Sequence, residues 1–175
     1  AQDAESYKAE AIIDCTGYET TRSEHWNFLP LEAVKGQLAV FNLDTPLPGR
    51  YALAGGGYIA RITDRRIVVG STYEHNFDTT QSTEEGIQTL KQKLLRLLPY
   101  LEGNIEFRDT WTGIRVSAKD HMPVLGRHPE TPGLYVFTGL GSKGMLYSAY
   151  LADCLSAHLT EGEALPEEVD IERFV

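Results

Sequence analysis

Tyr58-Ile59-Ala60-Arg61-Ile62-Thr63-Asp64-Arg65-Arg66-Ile67-Val68-Val69-Gly70-Ser71-Thr72 reads as strand, turn and strand. Two runs rich in Ile, Val and Tyr flank the polar Thr63-Asp64-Arg65, the pattern of an antiparallel hairpin. Upstream, residues 34–43 read as another strand, broken by Pro46, Pro48 and Gly49, and Gly55-Gly56-Gly57 is a second breaker. Downstream, Ser82-x-x-Glu85 is a capping box that opens a helix. Its apolar residues Ile87, Leu90, Leu94, Leu97 and Leu98 recur at helical spacing until Pro99 stops it. Residues 105–116 form the next strand. Consecutive strands with one amphipathic helix predict an α+β fold, a mixed or antiparallel sheet with flanking helices. The stripe Ile87, Leu90, Leu94, Leu97 is expected to be buried, with Lys91 and Lys93 in solvent.

The two ends of the chain read differently. Ala11–Cys15 is a short apolar strand that stops at Thr16-Gly17, followed by a polar, irregular stretch to Leu31. Met122–Leu125 is a short extended piece and Leu134–Thr138 a strand. A glycine-rich turn, Gly139–Gly144, then leads into a helix from Met145 to about Leu159, and an acidic tail follows. Strands that end in glycine at a turn belong to open α/β sheets. A chain that leaves one layer, builds another and returns contains an inserted domain. The expected division is 1–33, 34–116 and 117–175.

Composition narrows the partners. The 175 residues are 42% hydrophobic and 23% charged, ordinary for a globular chain. No apolar run approaches the ~18 residues of a membrane span. With 16 Lys and Arg against 25 Asp and Glu, the net charge of −9 disfavours nucleic acid and anionic lipid as partners. Cys15 and Cys154 stand in apolar contexts; they are read as buried thiols of a reducing, cytoplasmic compartment, the alternative being a disulfide or reactive pair. Zinc-site spacings are absent and no metal is expected. No signal-peptide pattern is visible at the start, and no Ser sits in a G-x-S-x-G elbow.

Three features carry candidate chemistry. Gly139-Leu140-Gly141-Ser142-Lys143-Gly144 is a literal G-x-G-x-x-G between a strand and a helix. It lacks the following strand and acidic residue of a dinucleotide fingerprint. Glycines there still let backbone approach a ligand, and free N–H groups at a helix start attract negative charge. The turn therefore either contacts an anion or polarised carbonyl, or serves packing alone. Arg115 shares strand parity with Ile105, Phe107 and Trp111, an apolar face on which an arginine needs an anion. That anion is either a protein carboxylate or a ligand carboxylate gripped by the guanidinium fork, and a bulge at Gly113 would reverse the parity. Tyr58 follows three glycines, so its hydroxyl is placed to line a cavity. His75 reads as a loop residue, and His25 and His121 lack partner spacing.

Taken in order, several segments resemble the D-amino-acid oxidase/glycine oxidase family of FAD-dependent amine oxidoreductases. They are Ile13-Asp14-Cys15-Thr16-Gly17, Val34-Lys35-Gly36-Gln37, Tyr58 through Val69-Gly70-Ser71-Thr72, Gly113-Ile114-Arg115, Asp120-His121-Met122-Pro123-Val124-Leu125-Gly126, Gly133 through Gly139, Ser142-Lys143-Gly144 and Arg173-Phe174. The glycine turn and Asp120-His121-x-Pro123 are also similar to the flavin-oxidase half of a bifunctional tRNA wobble-uridine modification enzyme. Family members open with a strand, a G-x-G-x-x-G turn and a helix that hold the FAD pyrophosphate. Nothing of that kind precedes Ala11, so the chain resembles the C-terminal half. The resemblance implies a partial FAD-binding domain (1–33), a substrate-binding domain (34–116) and a return to the FAD-binding domain with its C-terminal helix (117–175).

The resemblance also implies roles. Gly17 would end its strand close to FAD, and Gly141, Ser142, Lys143, Gly144, Met145 and Leu146 would lie against the flavin pyrimidine. Arg115 would bind the substrate carboxylate, with Tyr58 lining the substrate cavity and no acid or base demanded. The reaction implied is oxidation of the C–N bond of an amino acid or secondary amine bearing a carboxylate. A tRNA-modifying oxidase or a non-redox binding module with the same fold are the alternatives. Some relatives attach FAD through a cysteine near the Arg115 position; none lies between Ile105 and Phe137, so FAD is expected to be non-covalent. The chain alone is expected to be inactive and not to retain FAD. Apolar surface left open near Ala11–Gly17 and Tyr135–Thr138 would favour self-association.

Overall fold

The computed structural model describes residues 8–49 and 52–175; residues 1–7, 50 and 51 lie outside it. The chain divides into two compact units, one holding Val34–Ile114, the other running to Ala33 and resuming over Arg115–Val175.

The first unit is built on the hairpin. The strands in chain order are β1 (Ile12–Asp14), β2 (Leu31–Leu43), β3 (Ala52–Ala54), β4 (Tyr58–Thr63), β5 (Arg66–Gly70), β6 (Ile105–Ala118), β7 (Val124–Arg127) and β8 (Leu134–Thr138). A five-stranded sheet runs in the order β3-β4-β5-β2-β6. Tyr58 pairs with Gly70 and Ile59 with Val69 across the hairpin, and β5 pairs antiparallel with β2, Val69 facing Ala39. The strand β3 has no counterpart in the sequence reading, because three residues between two breakers give no periodic signal.

Helix α1 (Glu84–Leu97) lies on this sheet. Leu90 and Leu94 are fully buried with Phe41, Ile59, Ile67 and Val69. Deleting a buried leucine of this kind costs about 2–5 kcal/mol. Ile87 and Leu97 are only half-buried, and so are Lys91 and Lys93, contrary to expectation. Lys93 lies along the surface because its Nζ donates to the Ser71 carbonyl at 2.7 Å. The N-cap is Thr83 rather than Ser82: its Oγ1 accepts from Gly86 N at 3.2 Å. The choice is tertiary, since Thr83 N donates to Gln37 Oε1 at 2.9 Å and its Oγ1 accepts from Gln37 Nε2 at 3.0 Å. Any Cβ at Gly86 would collide with the Gln37 amide, so glycine is required where the helix start meets β2.

The second unit carries a three-stranded sheet, order β1-β8-β7, with β1 parallel and β7 antiparallel to β8. Helix α2 (Gly144–Glu161) buries Leu151 and Leu155 with Leu125, Leu165 and Val169, and stops at Gly162 in the left-handed region (φ 73°). The tail is more than a solvated acidic segment. Val169 and Ile171 are buried, and Asp170 forms a parallel bridge with Leu125. Among the described residues β8 is central, paired on both sides at Tyr135–Thr138, and the exposed apolar residues Ile12 and Ile13 lie on the outer strand β1. Both cysteines are free, but Cys15 is exposed and Cys154 half-buried rather than both being buried.

Candidate functional site

The turn between β8 and α2 is shaped by two glycines that adopt left-handed backbone. Gly139 has φ 73° and Gly141 φ 53°. A Cβ on Gly141 would stand 2.6 Å from Ser117 Oγ, and one on Gly139 would stand 3.3 Å from Val124 N and 3.5 Å from the Met122 carbonyl. The turn is therefore pressed against residues 117–124, and only glycine fits both the angle and the space. Lys143 N donates to the Leu140 carbonyl at 3.0 Å, closing a 3-10 turn, Gly141–Lys143, that runs into α2.

No side chain caps α2. Its first-turn N–H groups carry the positive end of the helix dipole outward, a setting for an anion or a polarised carbonyl. Ser142, Lys143, Met145 and Leu146 are all exposed, Met145 at 99% and Leu146 at 72%. Two exposed apolar side chains beside a helix start with no side-chain cap suit a flat ligand with a polar edge. At the end of β8, Thr138 is 3% exposed, and its buried hydroxyl has no hydrogen-bond partner among the described residues. A buried hydroxyl without a partner is costly, and it directly precedes the glycine turn.

Gly17 does not end the strand, as expected of it, but stands three residues beyond β1 at the start of the 3-10 turn Gly17–Arg22, with φ 64° and open space where a Cβ would be. Asp14 holds this corner, a role absent from the sequence reading. Its Oδ1 accepts from Thr16 N at 2.9 Å, Thr16 Oγ1 at 2.6 Å and Thr20 Oγ1 at 3.1 Å, and its Oδ2 from Trp26 Nε1 at 2.9 Å. Burial works to raise the Asp14 carboxyl, and these four donors outweigh it and hold it below the ordinary range. Burial and the adjacent Asp14 charge push the Cys15 thiol up, away from a reactive thiolate.

Arg115 is half-buried near the end of β6. The face assigned to it is not a buried apolar one, since Trp111 is 52% and Phe107 43% exposed. Strand β6 lies at the edge of its sheet, and alternation identifies a face without saying whether anything covers it. Tyr58 is 40% exposed, and its ring lies over Gly70, where a Cβ would come 2.6 Å from Cζ. His75 is exposed in a loop, as expected.

A second polar cluster lies between β2, the segment after β5, and α1. Lys35, 1% exposed, pairs with Glu74 at 3.3 Å. Glu74 Oε1 accepts from Gln37 Nε2 at 2.7 Å and Thr72 Oγ1 at 2.6 Å. Burial acts to raise the Glu74 carboxyl, and the bonds from Thr72, Gln37 and Lys35 keep it below its ordinary value. Among the described residues no group of His, Cys, Asp and Glu could hold a metal, and no helix is long and apolar enough to cross a membrane.

One unit thus carries a strand, a turn with two left-handed glycines and a helix without a side-chain cap, a combination suited to a ligand with a polar edge. The chain belongs to the family described as FAD dependent oxidoreductase, whose model matches residues 1–158. It is 32% identical over 138 residues to a glycine oxidase of Pseudomonas putida, covering 78% of this chain and 37% of that protein. It is 26% identical over 183 residues to a bifunctional tRNA 5-methylaminomethyl-2-thiouridine biosynthesis protein of Marinobacter nauticus, covering 94% of this chain and 28% of that one. Its fold matches the crystal structure of iminodiacetate oxidase from Chelativorans sp. BNC1 with TM-score 0.74 and 27% identity, covering 99% of this chain and 47% of the other. The chain thus spans less than half the length of these relatives. FAD, which the family implies, fits the residues present: the partnerless Thr138 hydroxyl, the close-packed glycines and the bare start of α2.

Proposed function

We propose that the protein carrying this chain oxidises the C–N bond of an amino acid or secondary amine bearing a carboxylate, with non-covalent FAD. The observation that carries the reading is the uncapped start of α2 behind two left-handed glycines, with Met145 and Leu146 exposed beside it. In this reading residues 1–33 and 117–175 contribute to the FAD-binding domain, and residues 34–116 form the substrate domain. Gly17, Gly141, Ser142, Lys143, Gly144, Met145 and Leu146 would hold the flavin end of FAD. Bound FAD would supply a two-electron acceptor for the hydride of the carbon bearing the nitrogen. The first-turn N–H groups of α2 favour negative charge on the group they face, by about 0.3–1 kcal/mol. Arg115 offers a two-pronged donor for the substrate carboxylate, fixing which carbon is presented. Tyr58 offers a phenolic hydroxyl from β4 for the substrate. Loss of that hydride and of a proton from the nitrogen would leave an imine, which water hydrolyses to the oxo compound and ammonia or a primary amine.

A cytoplasmic location accompanies this reading, supported by two free thiols. The glycine oxidase and iminodiacetate oxidase relatives support a small carboxylate-bearing amine as substrate. A tRNA-modifying oxidase is favoured by the match over 94% of the chain to the Marinobacter protein, while the net charge of −9 weighs against a tRNA surface here. The test is anaerobic titration of the FAD-loaded full-length protein. Bleaching of the visible flavin band by a carboxylate-bearing amine, with the oxo product formed, is the expected result. Bleaching by tRNA and not by free amino acids selects the second reading. A protein that binds no flavin overturns both.

A further inference from the structure

Arg173 lies in the short 3-10 turn Ile171–Phe174, and its guanidinium is turned into the fold, 17% exposed. Nε donates to Asp120 Oδ2 at 2.8 Å and Nη1 to the Asp170 carbonyl at 2.8 Å. Nη2 donates to the Pro123 carbonyl at 2.9 Å and the Met122 carbonyl at 3.3 Å. Phe174 covers the group from one side, 4.2 Å from Cζ to the ring centroid. Asp120 answers with its other oxygen, Oδ1 accepting from Met122 N at 3.0 Å. Between them stands His121, a non-glycine residue in left-handed backbone (φ 60°), a conformation that persists only where its surroundings enforce it.

The residues so gripped are those on which the glycine turn rests. Val124 N and the Met122 carbonyl are two of the three nearest neighbours of a Cβ built on Gly139. Ser117, at the end of β6 just before this connection, stands behind Gly141 and bridges to Leu140. The tail is itself held to β7, Leu125 N donating to the Val169 carbonyl at 2.8 Å. A lysine could reach Asp120 but could not also serve three carbonyls in one plane.

We propose that Arg173 is a positioning residue for the flavin-binding turn. By clamping Asp120–Pro123 it holds Gly139 and the start of α2 in the form that receives the flavin. This rests on the flavin reading of the turn.

The test is amide hydrogen exchange on the flavin-free full-length protein, together with FAD affinity, for Arg173→Met, Arg173→Lys and Asp120→Asn. In Arg173→Met, exchange at Leu140–Leu146 is expected to accelerate roughly tenfold or more and FAD to bind roughly tenfold more weakly, the scale of a lost charge-assisted bond. Exchange in β4 and β5 stays at the wild-type rate. Arg173→Lys and Asp120→Asn fall between, and Asp120→Asn serves if Arg173→Met does not fold. A variant that melts earlier yet keeps wild-type exchange at Leu140–Leu146 and wild-type FAD affinity overturns the proposal. A protein that binds no FAD refutes the flavin reading, while exchange in the flavin-free protein still decides whether the clamp shapes the turn.

Discussion

Glu74→Ala isolates what the buried network in the antiparallel unit contributes. The substitution removes the carboxylate that pairs with Lys35 at 3.3 Å and that accepts from Gln37 and Thr72. Lys35 is 1% exposed, so its ammonium cannot turn to water when its partner is gone. Breaking such a pair from one side costs about 3–5 kcal/mol, because the remaining charge is buried and uncompensated. For a chain of this size that corresponds to a loss of roughly 6–20 °C in Tm. Glu74 keeps a quarter of its side chain in solvent, which places the expected value at the lower end. Lys35→Met leaves an apolar fill and a carboxylate that still accepts from Gln37 and Thr72 and reaches solvent in part, and should cost less. The pH dependence has a definite sign. The folded-state pKa of Glu74 lies below its ordinary 4.5, so its contribution is full above that value. It is lost as pH falls through the lower folded value. The gap between wild type and Glu74→Ala should therefore be constant near neutrality and narrow below pH 4.5. Urea denaturation across pH checks both. A Glu74→Ala cost under about 1 kcal/mol, the range of an exposed ion pair, would refute the reasoning.

Gly141→Ala must place a Cβ 2.6 Å from Ser117 Oγ at φ 53°, and should destabilise by about 1–3 kcal/mol and weaken FAD binding. Gly17→Ala, with open space around the Cβ, should cost only the left-handed backbone, about 1–2 kcal/mol; equal effects on FAD binding would contradict the crowding argument. The 175-residue chain alone should purify colourless and self-associate through the β1 edge, where Ile12 and Ile13 are 60% and 41% exposed. Stoichiometric bound flavin or a strictly monomeric chain in sedimentation would count against it.

The hairpin, the helix after it and the strand–turn–helix near the C-terminus were legible because each has local punctuation: Thr63-Asp64-Arg65, Pro99, and the run of glycines. What escaped depends on partners distant in sequence. Ser82 and Thr83 are equally good caps by residue type; Gln37, 46 residues away, decides between them. Phe107 and Trp111 alternate as a buried face does, but on an edge strand that face stayed open. Lys93 reads as a surface residue and is drawn in by the Ser71 carbonyl. Asp14 carried a local signal, an aspartate two residues before the threonine whose N–H it accepts, a recognised turn pattern. Arg173 carried none, since its four acceptors are scattered over Asp120, Met122, Pro123 and Asp170.

The most direct test of carboxylate-directed C–N oxidation is the preference of the FAD-loaded full-length protein for an amino acid over the corresponding decarboxylated amine, before and after Arg115→Ala. The expected loss is about 1.5–3 kcal/mol of binding to the carboxylate-bearing substrate alone, the range for hydrogen bonds to a charged group. That lowers the kcat/KM ratio between the two substrates roughly 10- to 150-fold, with the flavin spectrum and Tm close to wild type. Arg115→Lys should recover part of it, because the charge remains and the fork is lost. A variant that loses Tm and slows on both substrates alike, keeping the wild-type ratio, would show that Arg115 supports the fold and does not hold a substrate carboxylate.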